Sequence, residues 1–215
     1  MTTTVVYADA ADGYIQSSNA TYATARAGST LVATTAGTSV NVGQHLNAGV
    51  YFCYESFFSF DTSSIADTDT VSAVVLGLKG TFDQSLTDFT MNARTKDWGA
   101  TLTTADWVAG ADLGALTLLG TFATSGFSTS GYNDFTENGT NFRSWVSLTG
   151  MSLLVVSGSR HEGNNTPTAA EYVFVAASEA TGTTTDPKIT VTHAGAAVAP
   201  PPPRRIWRVW SRKAA

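Results

Sequence analysis

The sequence predicts an all-β protein, namely a jelly-roll β-sandwich of roughly nine or ten strands. Only 13% of the 215 residues are charged, whereas soluble domains average about 25%. Thr, Ser, Gly and Ala make up the difference. Short β-prone runs recur at close spacing between Gly-rich turns, as is typical of sandwiches and jelly rolls. No pattern typical of a helix of about ten residues occurs before Pro200.

The central strand of the predicted sandwich lies within residues 49–65, the segment with the highest density of aromatic residues. Every second position from Val50 to Phe60 is apolar except Ser56, which is the two-residue period of a strand with one face in a core. The intervening positions are mixed in polarity. The polar residues 61–64 end the run, because their short side chains bond to nearby backbone amides and favour a turn.

Further strands are predicted along the rest of the chain. Residues 71–79 are apolar at both alternating sets of positions, which predicts a strand that is covered on both faces. Residues 89–93 alternate, which predicts their odd-numbered members in the core and their even-numbered neighbours up to Arg94 facing outward. The remaining candidates are an opening strand or hairpin around an Asp12-Gly13 turn and two closing strands at residues 171–176 and 188–193.

Between residues 96 and 114 the sequence is irregular and contains Trp98 and Trp107. We expect both rings to fill the ends of the sandwich, because a large ring buries much apolar area where few other bulky groups lie nearby. The Thr-Thr-Ala-Asp between them predicts one short helical turn. Cys53 has no cationic neighbour in sequence, so it is predicted to be a small buried residue rather than a reactive thiol.

The composition predicts a domain, a linker and a tail. Residues 1–193 form the predicted β-sandwich, residues 194–203 form an Ala- and Pro-rich linker, and residues 204–215 form a basic docking tail. Four consecutive prolines extend the linker at about 3.1 Å per residue and so hold the tail away from the domain. Residues 1–203 contain 7 Lys and Arg and 17 Asp and Glu, a formal charge of −10, whereas the tail carries +5.

Five segments, in order along the chain, read YADAADGYI from Tyr7, FFSFDTSSIADTDTVSAVVLGL from Phe57, DWGATLTTADW from Asp97, GMSLLVVSGSRHEG from Gly150 and PKITVTH from Pro187. Together they resemble the DNRLRE-type modules, which are jelly-roll β-sandwiches related to alginate-binding carbohydrate-binding modules and found in phage and archaeal surface proteins. The resemblance covers residues 5–193 and implies the jelly-roll fold. The Asn-Arg-Leu-Arg sequence that names the family is absent, and Asn92, Arg94 and Lys96 are its loose counterpart, so the ligand stays open.

Sequence signals of catalysis are absent, so we expect a protein that is not an enzyme. The three histidines, His45, His161 and His193, are isolated, and no HExxH, CxxC, GxSxG or phosphate-binding glycine loop occurs. The N-terminal sequence lacks the basic and apolar regions of a signal peptide. No stretch approaches the roughly 18 apolar residues of a membrane-spanning helix. We therefore expect neither an export signal nor a membrane span.

Four carboxylates are candidate calcium ligands, and no other cofactor is predicted. Asp67 and Asp69 alternate after the central strand, and alternate carboxylates on an extended chain project to the same side, which suits a hard cation. Asp9 and Asp12 lie three residues apart and converge only if the turn at Asp12 folds them together. The alternative, which we favour, is that all four are solvated loop acids.

Exposed aromatic rings next to Arg or Asn side chains are typical of surfaces that bind carbohydrate. The candidates for glycan binding are Arg94, Tyr132, Arg143 and Trp145, with Trp98 as a further candidate if it is not in the core. Three N-x-Thr sequons, at Asn19, Asn138 and Asn164, are treated as chance matches because no secretory route is predicted.

The tail has the composition of a binding anchor. Its twelve residues include two tryptophans and five cations, and Trp and Arg are enriched among interface hot spots. Arginines recur every four residues, as on one face of a helix, and an added β-strand is the alternative. The predicted docking residues are Arg204, Arg205, Ile206, Trp207, Arg208, Val209, Trp210 and Arg212.

These features favour a virion structural protein, either a phage capsid decoration protein or a tail-associated surface protein. Assembly in the host cytoplasm would reconcile a composition typical of extracellular proteins with the missing export signal. The tail would dock to an acidic surface of a capsid or tail protein, because a body of −10 disfavours nucleic acid and the tail is short for a membrane-surface helix. A surface glycan and a second copy of the chain are further candidate partners. The alternative function is a carbohydrate-binding module for acidic polysaccharide.

Overall fold

A computed structural model of the chain describes residues 1–180 and 182–195. These residues contain thirteen β-strands, three α-helices and three 3-10 helices, and the longest α-helix has six residues. The all-β prediction is therefore confirmed, whereas the number of strands exceeds the nine or ten expected. No helix in the two described ranges is long and apolar enough to cross a membrane.

The elements follow one another as alternating strands and short helical turns. The strands are β1 (Thr2–Tyr7), β2 (Gly13–Asn19), β3 (Thr30–Thr34), β4 (Ser39–Asn47), β5 (Val50–Asp61), β6 (Thr70–Ser85), β7 (Thr90–Thr95), β8 (Leu118–Ala123), β9 (Tyr132–Asp134), β10 (Thr136–Glu137), β11 (Met151–Gly158), β12 (Ala170–Ala176) and β13 (Lys188–Ala194). The α-helices are α1 (Tyr22–Ala27), α2 (Asn141–Trp145) and α3 (Ser159–Glu162). The 3-10 helices span Thr104–Asp106, Leu113–Ala115 and Thr124–Gly126.

The strands form one large antiparallel sheet that curls on itself. Its order is β1-β13-β6-β12-β4-β5-β11-β7-β8-β10, with β2 and β3 extending from β5 and with β9 beside β6. The main hydrophobic cluster joins the two halves of this order. It contains Val42, Leu76 and Val173 from one half and Phe58 and Leu154 from the other, so the core lies where the curled sheet faces itself.

Strand β5 is the central strand, and both of its faces are buried. Phe58 and Phe60 belong to the main cluster, whereas Phe57 packs with Trp98 on the other side. Cys53 packs in a third cluster under α1, where burial raises the pKa of its thiol to about 12. The predicted central strand and the buried cysteine are confirmed. The mixed face is covered as well, because α1 and the irregular segment after β7 pack on it.

Two further details of the irregular segment are confirmed. The predicted helical turn is the 3-10 helix Thr104–Asp106, and its Asp106 carboxylate accepts a hydrogen bond from the backbone N–H of Thr103 at 2.9 Å. Trp98 is buried and Trp107 is half-buried, and both rings contact the second cluster. Their predicted place in the core is therefore correct.

Two predictions about strand surroundings are wrong. In β6, Leu76 is buried but Val75 is 36% exposed, so residues 71–79 are covered on one face only. The opening strands are present as β1 and β2, but the hairpin alternative is wrong, because β1 pairs with β13 and β2 pairs with β3 and β5. The turn is instead held by the buried Asp12 carboxylate, which accepts hydrogen bonds from the backbone N–H and the hydroxyl of Ser178, both at 3.0 Å.

Candidate functional site

Seven rings form a continuous set on one side of the curled sheet. Phe82 and Phe174 have their ring centroids 5.9 Å apart, Phe174 and Tyr172 5.4 Å, and Tyr172 and His45 4.9 Å. The set continues through His45 to Phe52 at 4.6 Å and through Tyr54 to Tyr14 at 6.1 Å. We call these residues the aromatic face: Tyr14, His45, Phe52, Tyr54, Phe82, Tyr172 and Phe174.

Strand register explains why residues so far apart in sequence share one side. Residues directly opposite each other in an antiparallel pair project to the same face of a sheet. Across β6, β12, β4, β5 and β2, one row of paired residues reads Gln84, Tyr172, Gly43, Tyr54 and Gln16. Four strand spacings make this row about 19 Å long. The two neighbouring rows contribute Phe82, Phe174 and Asn41 on one side and His45, Phe52 and Ser18 on the other.

Gly43 lies at the centre of the aromatic face and has to be glycine. Its φ is +120°, and a Cβ there would lie 2.2 Å from the backbone oxygen of Glu171. Without a side chain at this point, the rings of Tyr172 and Tyr54 approach to 5.8 Å across the strand between them. The glycine therefore keeps the aromatic rings contiguous over three strands.

The aromatic face is uncharged and partly open to solvent. Phe82 is 53% exposed, Tyr54 is 5% exposed, and the other five residues are half-buried. Burial lowers the pKa of His45, which favours the neutral imidazole. Beside the rings, the Asn41 Oδ1 and His45 Nδ1 atoms are buried and have no hydrogen-bond partner among the described residues. The face thus combines contiguous aromatic rings with neutral hydrogen-bonding groups.

The structure removes Arg94 from the glycan candidates. Arg94 is buried, and its guanidinium donates to both carboxylate oxygens of Glu162, at 3.0 Å from Nε and 2.7 Å from Nη2. Its remaining Nη1 donates to the Leu116 carbonyl oxygen at 2.8 Å. The prediction that this side chain faces outward is wrong, because α3 and the segment before β8 cover that side of β7. Trp98, the further candidate, is a core residue.

The other three glycan candidates are half-buried and use their polar groups within the protein. The Tyr132 hydroxyl donates to the Asp186 carbonyl oxygen at 2.9 Å, and the Arg143 Nε donates to the Glu137 carboxylate at 3.0 Å. The Trp145 Nε1 donates to the Leu153 carbonyl oxygen at 2.8 Å. Arg143 and Trp145 share α2, whereas Tyr132 lies on β9 and Arg94 on β7. None of the four belongs to the aromatic face.

Three of the four calcium candidates bond to protein groups. Asp69 is hydrogen-bonded to His193 Nδ1 at 2.5 Å, and Asp67 is exposed. Asp9 accepts the backbone N–H of Ala10 at 2.7 Å, while Asp12 is turned toward Ser178. No group of three or more His, Cys, Asp or Glu side chains within residues 1–180 and 182–195 is arranged to hold a metal ion. Calcium binding at these four carboxylates stays a prediction from the sequence.

A buried polar network lies on the opposite side of the sheet from the main core, beneath α1, α3 and the irregular segment. His161 is fully buried, and neither ring nitrogen has a partner among the residues that the structure describes. Burial, together with the nearby Arg26 charge, lowers the pKa of His161 to about 4. Glu55 is also fully buried; burial raises its pKa well above the ordinary value, although its Oε2 accepts the Val108 N–H at 3.1 Å.

Sequence reasoning missed the aromatic face although part of the signal was present. Tyr172 and Phe174 alternate with Val173 and Val175 in the predicted strand 171–176, which indicates one aliphatic side and one aromatic side. Phe52 and Tyr54 share one set of alternating positions with Phe58, which lies in the main core. The alternation therefore predicts core positions for Phe52 and Tyr54 as well. What the sequence does not contain is the pairing that brings these strands next to one another.

The predicted docking residues from Arg204 to Arg212, and all but two residues of the linker 194–203, lie outside the described residues. Comparison with known proteins gives no further assignment: no protein-family model matches the chain, and no curated protein matches it.

Proposed function

We propose that this chain is a non-enzymatic surface protein whose β-sandwich binds a glycan on the aromatic face. The observation that carries the proposal is the continuous set of seven rings across five paired strands. Ligand sites in proteins are lined mainly by apolar and aromatic side chains, with a few polar groups that fix orientation. The aromatic face has this composition.

Each part of the face has a role in the proposed binding. The rings of Phe82, Phe174 and Tyr172 are tilted to one another by 56° and 65° along this series, and their exposed parts would contact the apolar C–H faces of sugar rings. Gln84 and Gln16, at the two ends of the central row, would hydrogen-bond to sugar hydroxyls. The row of about 19 Å follows the direction across the strands, so an extended oligosaccharide would lie perpendicular to β12.

The test is a glycan array with the full chain, followed by affinity measurements on two matched variants. Phe82→Ala removes a ring that is 53% exposed on the aromatic face, and Tyr7→Ala removes a ring that is 40% exposed on β1, outside it. Both side chains are open to solvent, so neither variant should unfold. We expect Phe82→Ala to weaken binding of the best array ligand by several-fold to about tenfold. Tyr7→Ala should leave the affinity unchanged.

Two results would contradict the proposal. One is an array on which the folded full chain binds no glycan. The other is a ligand whose affinity is equal for the wild type, Phe82→Ala and a second face variant, Phe174→Ala. In the second case the glycan would bind elsewhere, and α2 with Arg143 and Trp145 would become the candidate site.

We further propose that this body is displayed on a virion, as a phage capsid decoration or tail-associated protein, and that residues 204–215 dock it to a capsid or tail protein. The acidic body and the tail of opposite charge support this arrangement, because 7 cations and 17 acids precede five terminal cations. Deletion of residues 200–215 should leave a soluble protein that no longer joins its particle. Normal incorporation of the truncated protein would contradict the docking role.

The two parts of the proposal are separable by experiment. A purely structural decoration protein would lose incorporation on tail deletion and give no signal on the glycan array. A stand-alone carbohydrate-binding module would bind glycan and be unaffected by tail deletion. The displayed glycan binder proposed here would show both the array signal and the incorporation defect.

A further inference from the structure

We infer that the aromatic face is selective for uncharged glycans and disfavours acidic polysaccharides. This inference rests on the proposed glycan binding and adds the class of ligand. It differs from what the sequence favours for a carbohydrate-binding module, which is an acidic polysaccharide. Three observations carry it: the neutrality of the face, the ion pairs that the arginines make within the protein, and the net negative charge of residues 1–195.

The face itself offers no charge to an acidic sugar. All seven of its members are apolar, phenolic or, in the case of His45, a partly buried imidazole, and none of them takes part in an ion pair within the described residues. The polar residues that share its rows are also neutral, namely Gln16, Ser18, Asn41 and Gln84. A carboxylate placed over these rings would lose water without gaining an ion pair, which is unfavourable.

The arginines that recognise carboxylates in many proteins are engaged inside this one. Arg94, Arg143 and Arg160 form ion pairs with Glu162, Glu137 and Glu171 at 2.7, 3.0 and 2.7 Å. Arg26 donates to the backbone oxygens of His161, Gly110 and Glu162. These are the only four arginines among residues 1–195. Each arginine of the described residues therefore already has a protein partner, and none of the four belongs to the aromatic face or to its rows.

The part of the chain that the structure describes is acidic. Residues 1–195 carry 7 cations and 17 acids, or −10. The surrounding field therefore repels an anionic ligand.

Neutral hydroxyl groups match the polar side chains of the central row. Gln84 and Gln16 lie at its two ends and are half-buried. A hydroxyl both donates and accepts, so a sugar hydroxyl can pair with either side-chain amide. Neutral saccharides present such hydroxyls around every ring and add no charge that has to be neutralised.

The experiment uses the full chain and pairs of oligosaccharides that differ only in whether C6 of each sugar is a hydroxymethyl or a carboxylate group. One such pair is β-1,4-linked mannohexaose and the β-1,4-linked mannuronate hexamer. The array of the preceding section supplies further pairs of this kind. Affinity is measured at low and high salt for the wild type and for Phe82→Ala. The loss of affinity on Phe82→Ala reports binding through the face, which separates it from attraction to the five cations after residue 203.

At low salt we expect the neutral member of a pair to bind through the face about threefold to tenfold more tightly than the acidic member. This difference in affinity should shrink at high salt. A gain-of-function variant gives an independent check. Gln84→Arg places a guanidinium beside Tyr172 and should improve face-dependent binding of the acidic member. Thr3→Arg adds the same charge on β1, away from the face, and should not.

The outcomes separate the two levels of the proposal. Equal or tighter face-dependent binding of the acidic member by the wild type overturns the selectivity and leaves the glycan-binding function intact. Absence of binding by any neutral or acidic glycan overturns the glycan-binding function and the selectivity with it. A lack of effect of Gln84→Arg, while Phe82→Ala weakens binding, would overturn the charge-based explanation.

Discussion

The buried His161 makes the stability of this protein sensitive to acid, because its surroundings disfavour the protonated ring. Neither ring nitrogen of His161 has a hydrogen-bond partner among the described residues. Its ring packs 5.6 Å from the ring of Trp107, and the Arg26 Nε donates to its backbone oxygen at 2.7 Å. A proton added to this imidazole would create an unpaired buried charge next to a guanidinium. We therefore predict that His161→Gln makes stability less dependent on pH.

The magnitude comes from the difference between the folded and unfolded states. Burial, with Arg26 second, lowers the pKa of His161 from 6.5 to about 4. Because the unfolded chain takes up this proton at a higher pH than the folded chain, the free energy of unfolding is unaffected above pH 6.5 and falls as the pH drops toward 4. A difference of about 2.5 in pKa corresponds to a loss of about 3 kcal/mol in the wild type. His161→Gln abolishes this term.

The assay is urea unfolding, followed by tryptophan fluorescence, at several pH values between 7.5 and 4.5. Carboxylate terms are common to both proteins, so they cancel when the wild type is compared with His161→Gln at each pH. The control is His45→Gln, since His45 is half-buried and its pKa is lowered by burial alone. Curves for wild type and His161→Gln that run parallel over this range would refute the reasoning.

Three further predictions concern the buried network and the aromatic face. Glu55→Gln should raise the free energy of unfolding relative to wild type, because burial raises the pKa of Glu55 and the folded state favours the protonated acid. The difference should grow by up to about 1.4 kcal/mol per pH unit above pH 4.5. Unfolding at pH 5 and 8 measures it, and a difference that does not change with pH would contradict the prediction. Arg94→Met should lower the free energy of unfolding by about 3–5 kcal/mol, because it leaves Glu162 unpaired in a buried site. Arg143 has a side chain that is 35% exposed, so Arg143→Met should cost less than about 1 kcal/mol. Equal losses in chemical unfolding would show that Arg94 is not structural. Gly43→Ala should prevent folding or cost several kcal/mol, because its Cβ would lie 2.2 Å from the Glu171 backbone oxygen. Gly49→Ala is the control: φ is positive there too, but no atom lies within 4 Å of the added Cβ, so it should cost about 1 kcal/mol. Thermal melts that give equal losses would contradict the assigned crowding.

Local sequence patterns predict the elements of this fold well. The central strand lies at Val50–Asp61 within the predicted residues 49–65, and the helical turn before Trp107 is present. Phe89, Met91 and Ala93 belong to the main core, as their alternation predicts. These features depend on neighbours in sequence, which a periodic pattern records directly.

Features that depend on distant pairing were predicted less well. Arg94 has the spacing of an outward residue, but its side of β7 is covered by α3, whose Glu162 is 68 residues away. The opening hairpin fails because β13, near the end of the described chain, pairs with β1. The aromatic face joins Tyr14, Tyr54 and Tyr172 through register alone. A single sequence specifies which residues are aromatic, but not which strands lie side by side.

The central claim is that the aromatic face is where this protein meets its ligand. The most direct measurement is a residue-resolved NMR titration of the full chain with the strongest ligand from the glycan array. We predict that the largest shifts fall on Tyr172, Phe174, His45 and Phe52, along the rows that join β6 to β2. Shifts that cluster on α2 around Arg143, or on the tail after residue 203, with the aromatic face unchanged, would contradict the claim.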